Sequence, residues 1–132
     1  AFPSAEALCA LGEAGLFEMK TGFRAKYIYD ASSRVLSGEL MLDTVRGEDT
    51  ESAIDRLCEV KGIGRKVASC ALLFGFARLD AFPIDVWIKK VMAKYFDGDF
   101  TPESLGRYAG VAQQYLFYYE RYLIGEKGEN KK

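Results

Sequence analysis

Residues 57–68 read Leu57-Cys58-Glu59-Val60-Lys61-Gly62-Ile63-Gly64-Arg65-Lys66-Val67-Ala68, and this stretch decides how the rest of the chain is organised. The segment before it reads as a helix capped by Asp49 or Thr50, with Ile54, Leu57 and Cys58 facing inward. Gly62 and Gly64 flank one apolar residue; glycine accepts positive φ and lets another group approach the backbone closely, so a tight hairpin between helices is expected. Beyond it, Val67 to Phe74 is apolar except for Ser69, which predicts a helix buried nearly all round. The amides that open that helix have no partners within it and can hold a phosphate. On its own, Gly-x-Gly is weak evidence and is better explained as an ordinary interhelical turn.

Working outward, every strong periodicity is helical. Ser4 can cap a helix through Leu8 and Leu11, and from about Gly22 the residues Phe23, Tyr27, Ala31 and Val35 form an apolar stripe. Pro83 and Asp85 start another helix with Ile84, Ile88, Val91 and Tyr95 at helical spacing. Thr101-Pro102-Glu103 is a further start, Pro being favourable in a first turn. The last helix begins near Gly110, with Val111, Tyr115, Tyr119 and Tyr122 on one side, and Gly125 onward reads as a frayed tail. No segment reads as a strand. The expectation is an all-α domain over residues 1–125 with a flexible tail at 126–132.

Composition narrows the function classes. A chain of 132 residues with 49% hydrophobic and 28% charged positions can close one core, which argues against general disorder. No run of eighteen apolar residues is present, so no membrane span is expected. Cys9, Cys58 and Cys70 are odd in number and widely spaced, which fits a reducing compartment. Three cysteines and no histidine also exclude a four-cysteine cluster or a zinc site made by this chain alone. The net charge of −1 hides an uneven distribution: residues 55–95 hold eight Lys/Arg against four acids, a local surface for phosphate or simply a solvated face.

Lys66 and Asp85 are the candidates for chemistry. Lys66 falls in the first turn of an apolar helix, where the helix N-terminus and partial desolvation would both disfavour its ammonium form. Only the neutral amine is a nucleophile, and at a reference pKa of about 10.4 roughly one lysine in a thousand is neutral near pH 7.4. A lysine snorkelling to solvent or touching phosphate fits the position equally well. Asp85, in Ala81-Phe82-Pro83-Ile84-Asp85-Val86-Trp87, can cap its helix and keep one oxygen for a cavity. An anion fixed there would favour positive charge developing on a sugar as it loses its base.

Gly-Ile-Gly-x-Lys-Val-Ala-x-Cys followed by Ala-Phe-Pro-Ile-Asp-Val-Trp closely resembles the helix-hairpin-helix base-excision DNA glycosylases, and within them the 8-oxoguanine DNA glycosylases. The likeness runs from Phe2-Pro3-Ser4 through Gly22–Tyr27, the hairpin and Asp85 to Ala109-Gly110-Val111-Ala112-Gln113. It implies the carboxy-terminal portion of the catalytic domain. By this resemblance, Lys66 attacks the sugar C1′, displaces the damaged base and becomes a Schiff base that permits β-elimination; Asp85 is the catalytic aspartate. Gly62, Ile63, Gly64 and Arg65 would contact DNA, and the carbonyls of Cys58, Val60 and Ile63 would bind K⁺ or Na⁺. Cys70 and Phe117 would sandwich the flipped base and Gln113 would read its pairing edge. Phe23 would wedge the stack and Arg24 would read the estranged cytosine. Without the resemblance, Cys70 and Phe117 read as core and Gln113 as surface.

The resemblance also implies more chain upstream, a β-containing domain and a loop facing the opposite cytosine, so a boundary within a longer protein is expected. Trp87 stands where some relatives carry histidine, a departure from the family's pattern two residues after Asp85. The implied activity is removal of 8-oxoguanine from duplex DNA with AP lyase action, by a monomer without a membrane partner. It would act inside the cell, in the cytoplasm and nucleoid or in a nucleus. Two alternatives differ in class or lesion: a non-catalytic DNA-binding module using the hairpin alone, and a glycosylase for oxidised pyrimidines. The latter usually carries a four-cysteine cluster that is missing here; alkylated-base relatives generally lack the lysine.

Overall fold

The computed structural model describes residues 2–96 and 100–124, the side chains of Leu123 and Ile124 excepted. Among the described residues there are helices and turns and no strand. The expected tail from Gly125 lies outside them. The chain divides into two compact units, Ala1–Ala68 and Ser69–Lys132.

In the first unit, α1 (Ala5–Leu16) packs on α2 (Ala25–Ser37), and α3 (Leu42–Gly47) on α4 (Thr50–Cys58). Ser4 caps α1 by accepting from the Ala7 amide, and Asp49 caps α4 by accepting from the Ser52 amide at 3.0 Å. Both caps stand where local side-chain chemistry puts them. Leu16, Ala25, Leu40, Val45, Ala53, Ile54, Leu57 and Val60 are buried. Cys58, expected inward, is only half-buried. The stripe expected on α2 is also shifted: Phe23 is exposed and Tyr27, Ala31 and Val35 are half-buried, while Ala25 and Ser32 are buried.

The second unit holds the end of α5 (Arg65–Cys70), a π-helical turn at Ala71–Gly75, α6 (Val86–Tyr95), a 3₁₀ segment at Pro102–Tyr108 and α7 (Ala109–Tyr118). Its core is Phe82, Ile88 and Ala109, with Met92, Phe100, Leu105, Leu116 and Phe117 packed against them. Two expectations are corrected here. Val67 and Phe74 are 47% and 65% exposed, so the helix after the hairpin is not buried all round. On α7 the buried residues are Ala109, Gly110 and Gln113, and Tyr115 is 73% exposed. Tyrosine carries a polar tip that tolerates water, so its apolar ring predicted the wrong face.

Gly110 shows why that face is inward. Its amide donates to the Leu79 carbonyl at 2.8 Å, and a Cβ there would lie 2.3 Å from the Ala81 carbonyl oxygen and 2.6 Å from Leu73 Cδ1. Alanine ordinarily favours a helix over glycine by about 1 kcal/mol. Here Gly110→Ala is expected to reverse that sign and destabilise by about 2–4 kcal/mol, because backbone has to move. A lower urea midpoint checks it; an unchanged or raised midpoint would contradict the close approach.

Candidate active site

The hairpin is built in the first unit on a platform supplied by α2. After α4 the chain turns through Val60, whose carbonyl accepts from the Ile63 amide at 3.0 Å. Gly62 has φ +86°, and a Cβ on it would sit 2.4–2.6 Å from the Tyr27 ring, so the ring lies directly against the turn. One turn along α2, Asp30 Oδ2 accepts from the Lys61 amide at 3.3 Å and from Arg34 Nε at 3.1 Å. Gly64 does not take positive φ and has open space around it. Its carbonyl accepts from the Ala68 amide at 2.9 Å, closing the first turn of α5. The carbonyls of Cys58 and Ile63 accept no hydrogen bond among the described residues. Backbone carbonyls are neutral oxygen donors, the ligand type that a monovalent cation takes, and no metal-holding acidic or thiol cluster lies among the described residues.

Lys66, the second residue of α5, is exposed. The burial expected of it in an apolar helix is therefore not found in this chain, and Val67 beside it is exposed as well. Cys70 is one turn along the same helix and half-buried. Arg65 is engaged: Nη1 donates to Asp55 Oδ1 at 3.0 Å and Nη2 donates to Glu51. The hydrogen bond and charge of Glu51, with Asp55 adding to them, raise the guanidinium pKa above its ordinary value. The positive surface of residues 55–95 is correspondingly thinner than the residue count implies. Arg56 is paired with Glu48 and Lys94 with Glu120, while Lys61, Lys66 and Lys89 form no ion pair among the described residues.

Phe23 and Arg24 lie in a 3₁₀ turn, Gly22–Arg24, that leads into α2. Phe23 is 67% exposed; its ring meets Tyr27 edge-on and carries the Arg24 guanidinium 4.7 Å from its centroid. Beside it opens a groove of about 380 Å³ lined by Phe17, Phe23 and Ala14, with Glu13 and Lys26 at its polar positions. The exposed ring and the cation stacked on it are thus held on the same platform residue, Tyr27, that supports Gly62.

Asp85, Gln113 and Phe117 belong to the second unit. Asp85 caps α6 through Oδ1 alone, which accepts from the Trp87 and Ile88 amides at 2.9 Å each. Its Oδ2 has no hydrogen-bond partner among the described residues. Gln113 is buried, 3% exposed, and its Nε2 donates to the Pro83 carbonyl at 2.9 Å, two residues before Asp85. Its Oε1 accepts from Gln114. The amide that residue type alone assigns to the surface is thus an internal strut between α7 and the turn carrying the carboxylate. Phe117, one turn along α7 from Gln113, is half-buried against the Phe82 core.

Sequence reasoning missed Tyr27, Asp30, Glu51 and Asp55 as supports of the hairpin. The signal was present in part: Glu51 and Asp55 stand at i and i+4 on α4 with no cation between them to pair with on that face.

No protein-family model matches the chain. The probable N-glycosylase/DNA lyase of Methanothermobacter thermautotrophicus is 38% identical over 109 residues, covering 76% of this chain and 35% of that protein. The N-glycosylase/DNA lyase OGG1 of Arabidopsis thaliana is 30% identical over 136 residues, covering 88% of this chain and 37% of that protein. Among solved structures, the Clostridium acetobutylicum 8-oxoguanine glycosylase/lyase, in complex with double-stranded DNA containing cytosine opposite 8-oxoguanine, is 37% identical. It aligns with a TM-score of 0.80 over 92% of this chain and 45% of that one. The chain thus spans between about a third and a half of the relatives it matches. No helix among the described residues is long and apolar enough to cross a membrane. On these likenesses the chain belongs to the helix-hairpin-helix DNA glycosylases, its likeness running to the 8-oxoguanine glycosylase/lyases among them.

Proposed function

We infer that the protein containing this chain removes 8-oxoguanine from duplex DNA and then cleaves the strand as an AP lyase, acting inside the cell as a monomer. The observation that carries the reading is Lys66, an exposed amine on the second residue of the helix that follows the glycine hairpin. In this reading the Lys66 amine attacks C1′, the C1′–N9 bond breaks and its electron pair leaves with the base. Opening of the sugar ring gives an imine, which acidifies the 2′ protons; loss of one expels the 3′ phosphate by β-elimination. Lys66 is exposed in this chain, so the desolvation that lowers the cost of the neutral amine has to come from bound DNA or from the remainder of the protein.

The other residues take supporting roles. Gly62, Ile63 and Gly64 present backbone to a phosphate, and the carbonyls of Cys58, Val60 and Ile63 would hold K⁺ or Na⁺, whose positive charge would favour that phosphate. Phe23 fills the gap left by the flipped base while Arg24 meets the opposite cytosine, and Cys70 and Phe117 bracket the base in the pocket. Gln113 reads the base edge with its second amide proton, the first being committed to Pro83. Asp85 holds its charge near the sugar as positive charge develops there.

Borohydride capture tests the whole reading. The intact protein is expected to give a covalent adduct and a cleaved strand on a duplex with 8-oxoguanine opposite cytosine, and neither on undamaged duplex. An adduct only on oxidised-pyrimidine duplex would change the lesion. Salt-sensitive, lesion-blind binding without base release would mark a non-catalytic module. Asp85→Asn is expected to slow base release by about ten- to a hundredfold with binding retained. Asparagine caps a helix as well as aspartate does, so the Trp87 and Ile88 amides keep their acceptor and only the charge is lost. Wild-type release by Asp85→Asn would remove the aspartate from the mechanism.

A further inference from the structure

α4 carries Glu51 and Asp55 one turn apart on a single face. Both engage the same cation, Arg65, the first residue of α5. The two bridges therefore join the helix before the hairpin to the helix after it, bypassing the turn itself. A guanidinium between two carboxylates carries a net charge of −1 as a group, the wrong sign to attract a phosphate. Lys66 is the next residue, and the rotation of the first turn of α5 decides where its side chain is aimed.

We propose that Arg65 is a positioning residue: held by Glu51 and Asp55 across the hairpin, it fixes the first turn of α5 and so the aim of Lys66, and it is not a phosphate ligand. The proposal deepens the reading of Lys66 as nucleophile and rests on it. The side chains of Arg65, Glu51 and Asp55 are 60%, 66% and 74% exposed, and exposed pairs are each worth at most a few-fold in an equilibrium. The effect accordingly falls on rate and local order and leaves folding intact.

Two variants of the intact protein open this clamp while changing charge in opposite directions. Arg65→Ala removes one positive charge; Glu51→Gln/Asp55→Asn removes two negative ones. The measurements are single-turnover borohydride capture at saturating 8-oxoguanine duplex, the salt dependence of binding, and hydrogen exchange of the Ala68 amide, which bonds the Gly64 carbonyl at 2.9 Å. Both variants are expected to slow capture by about three- to tenfold and to speed Ala68 exchange to a similar degree, with the salt slope of Arg65→Ala unchanged. A phosphate ligand behaves differently: Arg65→Ala would weaken binding and reduce the salt slope by about 1, while Glu51→Gln/Asp55→Asn would bind more tightly and capture at the wild-type rate. That pattern overturns the clamp. Failure of the wild-type protein to form an adduct sinks the nucleophile reading instead, and the clamp is then judged by Ala68 exchange, which overturns it if unchanged in both variants.

Discussion

Lys66→Gln in the intact protein is expected to abolish the borohydride-stable adduct on 8-oxoguanine duplex and to slow base release by at least about a thousandfold, some 4 kcal/mol of barrier. Glutamine preserves much of the aliphatic stem and keeps a polar end, and it cannot form an imine. Lys66 is exposed and forms no ion pair among the described residues, so the folded state should change by no more than about 0.5 kcal/mol. Loss of activity would therefore report chemistry and not unfolding. Lys61→Gln and Lys89→Gln are the controls, being exposed lysines of the same central stretch without ion pairs. Each should weaken binding in proportion to one lost cation and leave the adduct intact. Persistence of the adduct in Lys66→Gln, with its crosslink on another side chain, would sink the mechanism proposed for the protein.

What could be read from sequence divides according to range. The caps were legible because a cap is a contact over three residues: Ser4, Asp49 and Asp85 each accept from amides two or three positions on, as their spacing predicts. The hairpin was legible for the same reason, although only Gly62 adopts the positive φ that both glycines permit. Burial was less so. Apolar character says that a side chain tolerates a core, not that a neighbour covers it, and Val67, Phe74 and Tyr115 are left open. Gln113 fails in the other direction: adjacent to Gln114 it looks like surface, and it is buried because the Pro83 carbonyl, thirty residues away, satisfies its amide. The charge count around the hairpin overstated its positive field because Arg65 finds its carboxylates ten and fourteen residues back, a pairing no local window contains.

Gly62→Ala is expected to be the most damaging single methyl in the first unit. Two costs add at that position. At φ +86° an L-residue pays about 1–2 kcal/mol for the left-handed region. Its Cβ would also lie 2.4 Å from Tyr27 Cγ and 2.6 Å from both Cδ atoms, closer than carbon atoms approach, so the ring or the turn must shift, at about 1–3 kcal/mol. The sum, about 2–5 kcal/mol, is a large part of the 5–15 kcal/mol that holds a typical domain together. Gly64→Ala supplies the contrast: without positive φ and with nothing within 4 Å of its Cβ, it should change stability by less than about 1 kcal/mol. A double-mutant cycle with Tyr27→Ala separates the two costs. Removing the ring relieves the overlap and leaves the backbone penalty, so the double variant should be less destabilised than the two single changes predict together, by about 1–3 kcal/mol. Strict additivity would mean that the ring does not hold the turn, and the platform assigned to α2 beneath the hairpin would have to be abandoned. Because the same ring meets Phe23 edge-on, the shift forced by Gly62→Ala should also displace that exposed aromatic, coupling the geometry of the hairpin to the residue proposed to wedge the DNA stack.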